Sequence, residues 1–191
     1  MLTGFRAGPR VRWVTALLAL ALLAGPERAG AVETFKPLVQ GEPPPDFTLP
    51  DTAGKRVSLS DFRGRVILLT FVSCYTDTCM APVNAFEALF ARLGSARLAA
   101  PTVCAEIPEA LRQNGYAGLL RRCGAGQTIL IDLAQEASAR YRVTEFPTGV
   151  LIGPDFTVQE VLQGTPALRD PALPARIDAL AARAVPNAPR P

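Results

Sequence analysis

The chain has 191 residues, with 20 Lys and Arg against 17 Asp and Glu, four Cys and no His. Without an imidazole it cannot run Ser-His-Asp hydrolysis, Cys-His proteolysis, or a His-ligated zinc or haem site. At this length one domain with a sizeable core is expected.

Residues 1–31 read as a secretory signal peptide. Arg6, Arg10 and Arg12 form a basic stretch, Trp13 to Ala24 an apolar run, and Ala29-Gly30-Ala31 a small-residue cleavage signal. The apolar run is well short of the roughly 20 residues that span a bilayer. No Cys follows it to carry a lipid, and no Arg-Arg pair marks twin-arginine export. Cleavage removes four Arg and one Glu, leaving 16 basic and 16 acidic residues of the original 20 and 17. The exported chain is then formally neutral, periplasmic or extracellular, and not membrane-embedded. Nothing in its charge argues for a nucleic acid partner. All four Cys lie beyond residue 31. An even count in an exported protein points to disulfides or to a working dithiol.

Residues 32–45 end in three prolines and predict an extended lead-in. Phe47 to Leu49 and Val57 to Leu59, on either side of a Thr52-Ala53-Gly54 turn, alternate as a hairpin does. Val66 to Val72 is a continuous apolar run of strand length, as expected of a strand buried on both faces. Pro82 to Leu93 has helical spacing and is stopped by Gly94. A second strand is predicted over Ala100 to Ala105, a Gly-interrupted helix over Pro108 to Arg122, and a third strand over Thr128 to Leu133. A short helix over Gln135 to Tyr141 and a hairpin of Thr148 to Ile152 with Val158 to Leu162 follow. Asp170 as N-cap and Pro171 at the first helical position open a last helix, whose stripe is Ile177, Leu180, Ala181 and Ala184. The domain is expected over 46–185, with 186–191 a disordered tail. The element order predicts an α/β fold with a mixed central sheet flanked by helices. Cys74 and Cys79 fall where the first long strand runs into its helix. That edge of an α/β sheet forms sites, and a helix N-terminus favours a thiolate.

Pro45-Asp46-Phe47-Thr48-Leu49, Gly54-Lys55, Val57-Ser58-Leu59 and Asp61-Phe62-Arg63-Gly64 resemble the opening of the redoxin group of thioredoxin-like proteins. That group holds the TlpA/ResA-like thiol-disulfide oxidoreductases, the AhpC/TSA peroxiredoxins and the Sco copper chaperones. Phe146-Pro147-Thr148 to Asp155 resembles the group's cis-proline segment and closing hairpin. The resemblance covers Pro45 to Ala184 and implies the thioredoxin-like fold, with Thr76, Phe146 and Pro147 shaping a substrate groove beside the reactive cysteine. The active-site motif departs from it. Counted from Gly64, Cys79 takes the second position of the TlpA-like Trp-Cys-x-x-Cys motif, and Thr76 stands where the first Cys belongs. Cys74 is the nearby thiol, so the pair is spaced C-x4-C, and the only Trp leaves with the signal.

The first reading is a reversible Cys74/Cys79 dithiol-disulfide couple acting on protein substrates, with Cys74 the more exposed attacking thiol and Cys79 its resolving partner. It requires no organic cofactor and no metal, and implies a disulfide- or thiol-bearing protein substrate and a redox partner protein. The second reading is a thiol peroxidase. Thr76-x-x-Cys79 resembles the peroxiredoxin motif, with Cys79 peroxidatic and Arg121, Arg122 or Arg142 the candidate arginine, although Val72 replaces the expected proline. The third is a Sco-like copper chaperone or a non-catalytic binding domain; here the missing His would leave Met80 or a thiolate pair to hold Cu(I). Cys104 and Cys123, at the two ends of a crossover, form a structural disulfide if those ends approach within about 7 Å, and are otherwise buried thiols.

Overall fold

A computed structural model of the chain describes residues 36–75, 86–114, 116 and 127–184. Strands β1 (Thr48–Pro50) and β2 (Arg56–Ser58) pair antiparallel as the predicted hairpin. Their turn is held by Asp51, whose carboxylate accepts the Ala53 and Lys55 amides at 2.8 and 2.9 Å. Gly54 supplies the positive φ of 83° that such a turn favours.

The apolar run becomes β3 (Val66–Ser73), buried along its whole length. Short β4 (Leu98–Ala99), then β5 (Thr102–Glu106), β6 (Ile129–Ile131), β7 (Thr148–Ile152) and β8 (Val158–Gln163) complete the central sheet among the described residues. The order is β6-β5-β3-β7-β8, with β4 also on β3. β3 pairs parallel with β4 and β5, β5 parallel with β6, and β3–β7 and β7–β8 are antiparallel. The sheet is therefore mixed, as the element order predicted.

Helices α1 (Glu87–Leu93), α2 (Glu109–Gln113), α3 (Glu136–Arg140), α4 (Gly164–Leu168) and α5 (Leu173–Ala181) accompany it. Side chains alternate across a strand, and β3 shows why its run is continuous. Ile67, Leu69 and Phe71 pack with Ala137, Tyr141 and the hairpin's Leu49 and Val57, whereas Val66 and Leu68 pack with Leu89 of α1 and Leu173, Ile177 and Leu180 of α5. Val72 and Cys74 enter a third cluster beside β5 and β6. Each fully buried aliphatic side chain contributes about 1.5–3 kcal/mol.

Several expectations shift. The lead-in is not simply extended. It turns at Gln40–Glu42 and is tied to β8, the Gly41 amide donating to Val158 O at 2.8 Å and the Val158 amide to Glu42 O at 2.9 Å. The last helix starts at Leu173, because Pro171 and Ala172 form a turn before it. Asp170 caps that turn instead, accepting the Ala172 amide at 2.9 Å, and Pro174 takes the first-turn place that needs no donor. Helix α4 was not expected, since Gly164 and Pro166 read as punctuation. Gly94 ends α1 as predicted, its amide donating to Phe90 O at 2.9 Å. Residues 82–85, most of 115–126 and the tail from 185 lie outside the described residues.

Candidate thiol site at the end of β3

Three segments meet at the C-terminal end of β3. The β3–β7 register pairs Phe71 with Thr148, which brings Pro147 and Phe146 alongside Val72 and Ser73. The Phe146–Pro147 peptide is cis. On the other flank, Cys104 pairs with Val72 and Glu106 with Ser73. Cys74 follows directly, and its amide donates to Glu106 O at 2.7 Å.

The proline segment is pinned at both ends of its turn. Thr148 Oγ1 donates to Glu145 O at 2.8 Å, and the Gly164 amide donates to Pro147 O at 2.9 Å. Pro147 is buried and Phe146 half-buried against the Phe71 cluster. Tyr141 packs on Phe71 with ring centroids 5.1 Å apart and planes tilted by 44°, and meets Phe47 edge-on at 5.9 Å. Its hydroxyl donates to Pro45 O at 2.7 Å. Burial, with the Asp46 charge adding to it, pushes the Tyr141 phenol well above its ordinary range, so it stays a neutral donor.

Cys74 departs from expectation. It has no exposed surface, so it is not an exposed attacking thiol. The cause is long-range: Val72, Cys104, Ile107, Ile129 and Ile131 close over it. Tyr75, by contrast, is 65 % exposed, a large aromatic next in sequence to the buried sulfur. Cys104 is buried in the same cluster as Cys74. Arg142 is exposed after α3 with a φ of 52°. Thr76, Cys79, Met80, Arg121, Arg122 and Cys123 lie outside the described residues, so the Cys74/Cys79 and Cys104/Cys123 pairings and the Thr76 contact are not described. Among the described residues, no group of three or more His, Cys, Asp or Glu is placed to hold a metal ion, and no helix is long and apolar enough to cross a membrane.

Asp132, missed as a site-shaping residue, anchors α3. This buried carboxylate accepts the Ser138 amide and hydroxyl at 2.9 and 2.8 Å. Its place just after a short apolar strand was the available signal, since Asp there caps a following helix.

The profile of the AhpC/TSA family matches residues 40–161. The thiol-disulfide oxidoreductase ResA of Bacillus subtilis (strain 168) is 25% identical over 126 residues, 66% of this chain and 68% of the relative. The ResA of Geobacillus thermodenitrificans (strain NG80-2) is 28% identical over 163 residues, 84% and 90% of the two chains. A crystal structure from Chlorobium tepidum, assigned as the thiol:disulfide interchange protein DsbE, superposes with a TM-score of 0.61 at 23% identity, covering 77% of this chain and 98% of that one. The likeness to this structure establishes the thioredoxin-like fold.

Proposed function

The chain belongs to the AhpC/TSA family, and from that premise we propose that it is an exported thiol-disulfide oxidoreductase whose couple is Cys74 and Cys79. The observation that carries the reading is the position of Cys74, directly after the central strand at the end that also carries the cis Phe146–Pro147 segment. The similarity to two ResA proteins supports the reaction class.

The burial of Cys74 reassigns the roles within the couple. A disulfide carried by another protein cannot reach a sulfur with no exposed surface. Cys79 therefore attacks the substrate disulfide as thiolate, forming a mixed disulfide and releasing one substrate thiol. Cys74 then attacks the Cys79 sulfur, which closes the Cys74–Cys79 bond and releases the second substrate thiol. A dithiol partner protein returns the couple to its reduced state. Tyr75 and Phe146 offer the substrate aromatic surface beside this exchange. Residues 1–31 leave on export, 32–45 are the lead-in and 46–185 the redoxin domain.

The test is reduction of a disulfide-bonded protein such as insulin by the parent, Cys74→Ala and Cys79→Ala proteins. Each substitution is expected to lower turnover by at least about 100-fold, because both members of a couple are needed for each cycle. The family match also keeps peroxide reduction by Cys79 with Thr76 as the rival. Peroxide consumption that depends on Cys79 but not on Cys74, in a protein that leaves insulin intact, would establish the rival.

A further inference from the structure

β8 is the last strand on its side of the central sheet among the described residues, so its outer edge faces no further strand. The lead-in bonds that edge at Val158, through the Gly41 amide and Glu42 O. Further along, the ladder fixes which groups point outward. The Gly164 amide donates to Pro147 O at 2.9 Å, so Pro147 and Gly164 form a bonded pair. Bonded and non-bonded pairs alternate in an antiparallel ladder, which makes Thr148–Gln163 and Val150–Val161 non-bonded pairs. Val161 and Gln163 therefore turn their N–H and C=O groups away from β7, to the open edge. The two faces beside that edge differ. Glu160 meets Arg176 of α5 at 3.0 Å, and Leu162 shares a cluster with Leu173 and Ile177 of the same helix. Val161, between them, faces the other way and is 40 % exposed. On the α5 side a groove of about 690 Å³ lies between Leu38 and Gln40 of the lead-in and Arg176, Ala179 and Arg183. Its charged lining is Glu160, Arg176 and Arg183. Glu160 and Asp170 hold Arg176, whereas Arg183 is exposed and meets no carboxylate among the described residues.

We propose that the outer edge of β8 receives an extended, acidic segment of a partner protein as an added strand. The segment's backbone pairs with Val161 and Gln163. Its acidic side chains lie over the groove towards Arg183, and the apolar side chains that alternate with them cover Val161. A second copy paired through its own β8 sets the same arginine rim against this one, whereas an acidic segment complements it. Gln163 is level with Thr148, and Thr148 with Phe71, so the edge opens at the end of the sheet where β3 runs out. A docked segment there stands two strands from β3, roughly 10 Å at ~4.8 Å per strand. The docking itself needs no thiol chemistry.

The test uses the full exported chain and a capped, fluorescently labelled heptapeptide that alternates Glu and Val. One control peptide carries Lys in place of Glu. A second is N-methylated along its backbone, which keeps the charges and removes the donors. The Glu-Val peptide is expected to bind at least about 10-fold more tightly than either control. Amide hydrogen exchange at Val161 and Gln163 is expected to slow when it binds. Arg183→Glu is expected to weaken binding by about 10-fold. Val161→Pro, which removes an outward donor that β7 does not use, is expected to weaken it by a similar factor. Equal binding of the Lys peptide, undiminished binding of the N-methylated one, or protection confined to other amides overturns the docking. So does the absence of binding up to about 1 mM peptide. A protein that dimerises alone, with those two amides protected before peptide is added, assigns the edge to a second copy and also overturns it. The parent's exchange map needs no variant, so a misfolded substitution cannot decide the result.

Discussion

Cys74 has its amide committed to Glu106 O at 2.7 Å and its side chain sealed by residues from β5, β6 and Ile107, while its neighbour Tyr75 stands 65 % exposed. One peptide bond separates a fully buried sulfur from a largely exposed ring. The position of Cys74 was legible, because an apolar run of strand length ends there. Its burial was not, because the covering side chains come from strands as far along as Ile131, and no local pattern reports parallel register. Tyr141 acts at the same scale. Its hydroxyl joins the lead-in to the core through Pro45 O, 96 residues away in sequence. Tyr141→Phe keeps the ring contacts and removes that bond, so urea denaturation is expected to show a loss of about 1 kcal/mol with an unchanged slope.

At the scale of elements, most of the chain could be read ahead, because hydrophobic period tracks burial directly. The hairpin, β3, β5 to β8 and the glycine stop after α1 were all visible as patterns, whereas the two-residue β4 was not. What escaped was set by turn chemistry: Gly164 and Pro166 sit inside a short helix, and Asp170 caps a turn rather than a helix end. Asp170 also tests how α5 is held against β8. Arg176 of α5 meets Asp170 at 2.7 Å and Glu160 of β8 at 3.0 Å. The Ala172 amide and then the Arg176 guanidinium hold the Asp170 carboxyl below the ordinary carboxylate range. A carboxyl depressed on folding contributes stability above its unfolded value and loses it as pH falls through the lower folded value. Asp170→Asn is therefore expected to flatten the acid limb of the stability-against-pH curve and leave its slope near neutrality unchanged. The difference should shrink in 1 M salt, because the pair is partly exposed.

At the scale of the whole molecule, the family match runs from the end of the lead-in into β8. The fold was legible from its framing segments, the opening around Pro45 to Gly64 and the proline segment with its hairpin. The chemistry was less legible, because the cysteine spacing departs from the family pattern at the very segment that carries it. Export belongs to this scale too. The account predicts that the chain recovered from the cell envelope begins at Val32, which N-terminal sequencing reads directly.

Trapping of the mixed disulfide tests the central claim most directly. Incubated with a disulfide-bonded substrate protein and analysed without reductant, Cys74→Ala is expected to accumulate a covalent adduct through Cys79 that dithiothreitol releases, because its resolving thiol is gone. Cys79→Ala is expected to form none. Adduct formed equally by both variants, or by neither while the parent still reduces the substrate, would contradict the account.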